Sequence, residues 1–276
     1  MPRFPVPAPP LQELAINYDY EHLKPAYDRD GFLIIKGFLP PNELKEVQDN
    51  LDRYIREVVP TLADSFAFYD DKSKPETLKQ MQHMHVDPFF RDYSEQHPRW
   101  TALASAIIGE EANCEFPEWF NKPPKTNHPT PPHQDNYYFN LTPPNVMTIW
   151  VALDTVDEEN GCLRYIPGSH KQGVRPHGRS NVLGFSQGIT DYSQADRDRE
   201  VKAILQPGDA TVHHGWMIHR ADPNTSQVRH RRSFALVFRG VSCQKDEAAH
   251  QRYADSLAED LITTRLDHSV QPQSGS

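Results

Sequence analysis

The chain has 276 residues, of which 37% are hydrophobic and 24% charged, and its formal net charge is −9. The hydrophobic share is enough for a folded core and excludes a fully disordered chain. The acidic balance gives no overall positive field for a phosphate backbone, so we expect no nucleic-acid partner. No apolar stretch approaches the ~18 residues of a membrane span, and the Pro-rich start lacks the apolar run of a signal peptide.

The cysteine pattern indicates a protein inside the cell, and the length allows a single domain. Cys114, Cys162 and Cys243 are odd in number and form no CxxC pair, which is typical of a reducing compartment. We therefore expect a cytoplasmic protein without membrane association. A β-rich domain commonly reaches ~250 residues, so one domain is possible at this length. The oligomeric state stays open.

Helices are predicted mainly in the first part of the chain. A Pro-rich arm precedes an apolar run at residues 31–38 that is typical of a strand. Residues 42–58 then place their apolar side chains on one helical stripe, which predicts a helix packed on the outside of a sheet. A second helix is predicted at residues 98–108 and ends at Gly109.

The sequence changes character after residue 110, where short β-branched and aromatic runs alternate with Pro, Gly and Asn. Asn160-Gly161 is a strong hairpin signal between two of these runs. Many short strands behind a group of helices predict a mainly β fold, a sandwich or barrel with flanking helices. A helix is predicted after Asp246, and the polar end after Leu266 is expected to fray. The predicted strands are 114–121, 146–153, 162–166, 210–214 and 233–239.

Three residues have the chemistry of a metal site. His133 and Asp135 are two residues apart, and in an extended chain such side chains project from the same face. His219, at the end of an apolar segment, could complete a set of two His and one carboxylate, the arrangement of non-haem Fe(II) oxygenases. The HxD pattern alone is weak, because His85 and Asp87 match it too. Only the first pair stands beside an aromatic run and an intact strand, so we assign the metal to it.

Two more histidines, His213 and His214, alternate on a predicted strand, so only one of them can face the metal. A ligating His usually needs a partner for its other ring nitrogen. His214 is the one predicted to help order the site.

Five segments resemble the phytanoyl-CoA dioxygenase family of Fe(II)/2-oxoglutarate oxygenases, in that family's order and close to its spacing. The resemblance extends over roughly residues 28–240. The segments are FNKPP (120–124), HQDNYYF (133–139), ENGCLRYIPGSHKQG (159–173), PGDATVHHGWMIH (207–219) and PNTS (223–226).

The resemblance implies a double-stranded β-helix, a jelly-roll or cupin-like barrel with helices on one sheet. It further implies a single oxygenase domain, 1–276, with a Pro-rich arm at 1–27, mostly helical support at 28–110, the jelly-roll core at 111–241 and a C-terminal helix and tail at 242–276. Its cofactor would be Fe(II), with 2-oxoglutarate and O2 as co-substrates.

The family pattern also implies a set of site residues. His133, Asp135 and His219 would bind the iron. The family's 2-oxoglutarate arginine aligns with His230, and a one-residue insertion restores Arg231. Strand alternation supports that choice, because Arg231, Ser233 and Ala235 share one face, while Arg229 and Arg232 remain alternatives.

Further positions follow by similarity, with one departure. The family often has Ser or Thr two residues after the second His ligand, and this chain has Ala221. The remaining predicted contacts are Trp150, Thr148 and Lys79 to 2-oxoglutarate, and Asn136, Tyr137 and Arg164 to the substrate.

The resemblance implies hydroxylation of an unactivated C–H bond of a small molecule, with release of succinate and CO2. Asp135 favours hydroxylation over halogenation, since similar halogenases have a small residue there. A zinc hydrolase or isomerase with the same ligands is the alternative, and a binding protein that has kept the barrel is a third. A CoA ester would need a basic patch for its phosphates. The residues that could form one are Lys122, Lys125, Arg164, Lys171 and Arg175. The acidic net charge of the chain favours a free metabolite instead.

Overall fold

The computed structural model describes residues 18–126, 128–182 and 185–256. Most of the predicted Pro-rich arm, the predicted helix beyond residue 256 and the tail lie outside the described residues. Among the described residues, no helix is long and apolar enough to cross a lipid bilayer.

Seven helices of four residues or more are numbered here in chain order. They are α1 (Lys24–Asp30), α2 (Pro41–Arg53), α3 (Pro88–Gln96), α4 (Pro98–Ile108), α5 (Asn136–Phe139), α6 (Gln194–Arg197) and α7 (247–256). A turn of π-helix, Tyr54–Val58, extends α2, so the predicted helix at 42–58 is confirmed. The helix at 98–108 is confirmed too, and Gly109 ends it in the left-handed conformation.

Fifteen strands are described. They are β1 (Phe32–Ile35), β2 (Ala67–Tyr69), β3 (Leu78–Met81), β4 (Ala112–Lys122), β5 (Thr130–His133), β6 (Leu141–Thr142), β7 (Val146–Ala152), β8 (Leu163–Tyr165), β9 (His177–Val182), β10 (Phe185–Ile189), β11 (Val201–Lys202), β12 (Ala210–His214), β13 (His219–Ala221), β14 (Arg231–Gly240) and β15 (Gln244–Lys245).

Two antiparallel sheets form the barrel. The larger has the order β1-β12-β7-β14-β4-β3-β2, and the smaller has the order β11-β8-β13-β5. The pairs β9/β10 and β6/β15 are separate two-stranded sheets. Apart from β2, β3 and β4, which follow one another in the chain, neighbours in both main sheets are distant in sequence, as in a jelly roll, and the predicted fold is confirmed.

The larger sheet separates two apolar cores because its central strands are buried on both faces. Ile149 and Val151 of β7 pack with the helices, as do Phe234 and Leu236 of β14. Trp150 of β7 faces the smaller sheet. The alternation predicted for β14 is therefore confirmed, and the barrel side of this strand has the smaller and polar side chains, including Arg231 and Ala235.

The predicted hairpin at Asn160-Gly161 is wrong. The strands on either side, β7 and β8, belong to different sheets, so the turn crosses from one sheet to the other. Gly161 has φ +82°, and a Cβ there would lie 2.4 Å from the Asp222 carbonyl oxygen. The Asn160 amide accepts from Asp157 N and donates to Thr155 O, both at 2.8 Å. The Asn-Gly pair therefore predicted a tight turn correctly, but it did not predict which strands pair with each other.

Candidate metal and co-substrate site

A cavity of about 580 Å³ lies inside the barrel, and side chains from both sheets line it. β5 and β13 of the smaller sheet bring His133 and His219 into register as paired residues. β7, β14 and β4 of the larger sheet supply the opposite wall, including Trp150, Arg231 and Glu118. The barrel thus places residues from distant parts of the chain around one space.

His133, Asp135 and His219 form a group in which one ligand atom of each lies within 4.8 Å of the others. Asp135 Oδ1 is 3.4 Å from His133 Nε2 and 3.5 Å from His219 Nε2. Two imidazole nitrogens and one carboxylate oxygen facing one point fit a first-row transition metal. The three predicted ligands are therefore brought together.

Backbone carbonyls orient both imidazoles. His133 Nδ1 lies 2.8 Å from Pro131 O, and His219 Nδ1 lies 3.0 Å from Met217 O. A carbonyl only accepts, so each Nδ1 carries the proton and Nε2 keeps its lone pair for a metal. Burial and then the nearby His133 ring hold the pKa of His219 well below its usual value, which keeps that ring neutral.

Two side chains of the larger sheet contact Oδ2, the second carboxylate oxygen of Asp135. Thr148 Oγ1 donates to Oδ2 at 2.7 Å, and His213 Nε2 lies 3.1 Å from the same atom. Burial raises the pKa of Asp135, but the imidazoles of His219, His133 and His213 outweigh it and hold the pKa well below its usual value. Asp135 is an oriented carboxylate, and Thr148 contacts it instead of the predicted co-substrate.

The backbone at Asp135 differs from the predicted extended chain. β5 ends at His133, and Asp135 has φ −57° and ψ −41° at the start of the short helix α5. Gln134, fully buried between them, donates to Gly173 O and Trp216 O at 2.9 Å and accepts from Arg175 N. These three bonds fix the turn that brings the carboxylate back to the imidazoles.

Arg231 lies in the same cavity as the metal group and is 4% exposed. Its Nε has no hydrogen-bond partner, and no carboxylate among the described residues forms an ion pair with its guanidinium. The guanidinium carbon lies 5.2 Å from the centre of the Trp150 ring. Burial lowers the pKa of Arg231 to about 10, so it remains a cation at neutral pH.

The alternative arginines face elsewhere. Arg232 forms an ion pair with Asp154 at 2.7 Å, and Arg229 forms one with Asp157 at 2.8 Å. Both pairs lie outside the cavity that contains the metal group. Of the three candidates, the structure turns only Arg231 toward the site.

Lys79 does not line the main cavity. It forms an ion pair with Asp70 at 2.9 Å and borders a separate cavity of about 50 Å³, which Arg231 also borders. The strand pleat explains the difference, because the next residue, Gln80, is the one that faces the main cavity.

The three predicted substrate contacts also lie outside the cavity lining. The Asn136 side chain is buried. Its Nδ2 donates to Leu141 O and its Oδ1 accepts from Leu141 N, and these two bonds close the turn after α5. Tyr137 stacks on His177 with ring centres 3.9 Å apart. Arg164 points out of the smaller sheet to Asp222 at 2.7 Å, because its neighbours Leu163 and Tyr165 take the inward positions of β8.

His85 and Asp87, the second HxD match, belong to no metal-type group among the described residues. Asp87 caps α3 through the backbone N–H groups of Phe89 and Phe90 and forms an ion pair with Arg53 at 2.8 Å. Pro88, the residue after this pair, is the first residue of that helix.

Comparison with known proteins agrees with this geometry. The family model of phytanoyl-CoA dioxygenase matches residues 27–233. The chain belongs to the phytanoyl-CoA dioxygenase family. It is 26% identical over 232 residues to the peroxisomal phytanoyl-CoA dioxygenase of Bos taurus, an alignment that covers 79% of this chain and 67% of that protein.

Two solved structures share the fold. EvdO2 from Micromonospora carbonacea var. aurantiaca is 25% identical, with a TM-score of 0.66 over 82% of this chain and 92% of that one. The epimerase SnoN, in complex with Fe3+, alpha-ketoglutarate and nogalamycin RO, is 23% identical, with a TM-score of 0.65 over 82% and 85% of the chains. This member of the phytanoyl-CoA dioxygenase family is a non-haem iron enzyme that uses 2-oxoglutarate.

Sequence reasoning gave one role to the wrong histidine and missed a carboxyl in the cavity. His213 rather than His214 contacts Asp135, since His214 turns toward Tyr27 and His170. Glu118 faces the cavity from β4. The segment CEFPEWFN could have predicted this carboxyl, because Glu118 lies between Phe116 and Phe120 on the same face of a strand.

Proposed function

We propose that His133 Nε2, His219 Nε2 and Asp135 Oδ1 bind Fe(II), that Arg231 binds the distal carboxylate of 2-oxoglutarate, and that the enzyme hydroxylates a C–H bond of a small molecule. In the expected reaction, bound Fe(II) allows O2 to convert 2-oxoglutarate to succinate and CO2, and the second oxygen atom goes to the substrate. The cofactor supplies the redox chemistry, and the chain supplies position and surroundings.

The supporting observation is the buried guanidinium of Arg231 in the cavity of the metal group, whose Nε has no hydrogen-bond partner and which pairs with no carboxylate of the described residues. Burying an unpaired cation is costly, and a bidentate carboxylate is the ligand that best compensates it. A zinc hydrolase would have no use for such a group, so this observation favours the oxygenase over that alternative. Trp150 lies against the guanidinium and closes one side of the co-substrate position.

A free metabolite fits this chain better than a CoA ester. The predicted basic patch is largely neutralised, since Arg175 pairs with Asp196 at 2.9 Å and Arg164 pairs with Asp222. Lys122 is buried and donates to His128 O at 3.0 Å. A cytoplasmic location remains a prediction.

The test is anaerobic binding of 2-oxoglutarate to the Fe(II) protein, followed by succinate release in air. Arg231→Ala should weaken 2-oxoglutarate binding by roughly 30-fold or more, the usual cost of removing a buried charge partner. Arg232→Ala is the matched control on the same strand and should change binding less than about fivefold, because its ion pair is partly exposed. A larger loss in Arg232→Ala would contradict the assignment, and absence of iron-dependent succinate release would contradict the function.

A further inference from the structure

Glu118 is a cavity carboxyl that the proposed function does not use. β4 turns Phe116, Glu118 and Phe120 into the cavity, while Trp119 packs with the helices on the other face. The strand pairs Glu118 with Ala235 of β14, four residues along from Arg231. At roughly 3.4 Å per residue, the position of Ala235, opposite Glu118, is roughly 14 Å along β14 from Arg231.

No cation neutralises this carboxyl within the described residues. Gln80 lines the same cavity, and burial followed by the Asp135 charge raises the pKa of Glu118 to about 8. Two inward carboxylates elsewhere in the described residues have arginine partners: Glu43 pairs with Arg99 at 2.6 Å and Glu200 with Arg220. A desolvated carboxyl without a positive partner is costly for the fold, so a ligand that supplies the partner would bind it strongly.

Aromatic rings surround the remaining space. Phe116 contacts Phe139 and His83, with ring centres 6.2 and 6.0 Å apart. Tyr138 contacts Tyr253 of α7 at 5.9 Å. All five rings line the same cavity as Glu118. Aromatic faces attract organic cations, and a carboxylate adds an ion pair to that attraction.

We propose that Glu118 is a specificity-determining residue that binds a protonated amine or other organic cation of the substrate. This inference rests on the proposed function, since it requires the metal and 2-oxoglutarate to occupy the same cavity. Arg231 and Glu118 then divide the cavity by charge. The arginine attracts the dianionic co-substrate. The Glu118 carboxyl ionises when a cation pairs with it, so it favours a cationic substrate over an anionic one such as a CoA ester.

The test uses three molecules of nearly equal size and different charge: 2-phenylethylamine, 2-phenylethanol and phenylacetate. Each is titrated by calorimetry, without oxygen, into protein saturated with Fe(II) and 2-oxoglutarate. The wild-type protein should bind the amine about tenfold or more tightly than the alcohol, and the acid most weakly. Glu118→Gln keeps the shape and removes the charge, so it should abolish most of the preference for the amine.

Two measurements separate this inference from the proposed function. Iron content and 2-oxoglutarate affinity are determined on the same preparations and should be unchanged within about threefold in Glu118→Gln, as expected for a residue that contacts neither. Glu115→Gln is the matched control, because Glu115 is an exposed carboxylate on the same strand that pairs with Arg239. Equal binding of amine and alcohol by the wild-type protein overturns the inference. A Glu118→Gln variant that keeps the amine preference, or whose main change is in 2-oxoglutarate affinity, overturns it as well.

Discussion

His213 Nε2 lies 3.1 Å from Asp135 Oδ2, the oxygen that faces away from the His133 and His219 imidazoles. The Nδ1 atom of the same ring is 3.1 Å from the Tyr165 hydroxyl, which is 2.9 Å from Thr211 Oγ1. Because the carboxylate can only accept, we infer that His213 carries its proton on Nε2 and accepts from Tyr165. A chain of buried hydrogen bonds therefore sets the direction of the metal-binding carboxylate.

His213→Asn should weaken Fe(II) binding by roughly 10- to 100-fold, the usual effect of losing a residue that orients a ligand. The control is His214→Asn, which changes the adjacent residue on the opposite face and should leave Fe(II) affinity within about threefold. Anaerobic Fe(II) titration of both variants measures the difference. A greater loss in the His214 variant would mean that the direction assigned to these two rings is reversed.

The two HxD pairs should separate in their effects. His133→Ala is expected to lose iron, whereas His85→Ala and Asp87→Ala should retain it. Asp87→Ala should instead lower the free energy of unfolding by about 1–3 kcal/mol, because it removes the cap of α3 and the Arg53 ion pair. Iron analysis and denaturant unfolding give the two quantities, and loss of iron in His85→Ala with retention in His133→Ala would refute the ligand assignment.

Lys79→Ala should change 2-oxoglutarate affinity by less than about threefold, since the Lys79 ammonium pairs with Asp70 and does not line the cavity of the metal group. Anaerobic binding, compared with the Arg231→Ala value, provides the measurement. A loss comparable to that of Arg231→Ala would place Lys79 in contact with the co-substrate.

The periodic parts of the fold could be predicted from sequence. The stripe of α2, the Gly109 stop and the alternation of β14 are local patterns, and each corresponds to the observed element. The β5 segment Thr-Pro-Pro-His offered no such pattern, because prolines seldom occupy strand interiors. The partners of Asn160-Gly161 could not be predicted either, since strand pairing in a jelly roll is set by the whole chain.

Site residues divide in the same way. The spacing of His133, Asp135 and His219 was visible in the sequence, but their orientation depends on cross-strand register. The pairing of His213 with Thr148 places both beside Asp135, and only the register of β12 against β7 decides that His213, not His214, has this role. For Arg164, alternation on a three-residue strand gave no sign of which face was inward.

The final prediction concerns the product: turnover in high chloride or bromide should give a hydroxylated and not a halogenated molecule. A halide needs the coordination position that Asp135 Oδ1 is expected to fill. Thr148 and His213 both hold Oδ2, so the carboxylate cannot swing aside without losing two buried hydrogen bonds. A succinate-release screen first identifies a substrate, and mass spectrometry of its product then gives the result. A halogenated product from the unaltered enzyme would show that this carboxylate does not hold its position during the reaction.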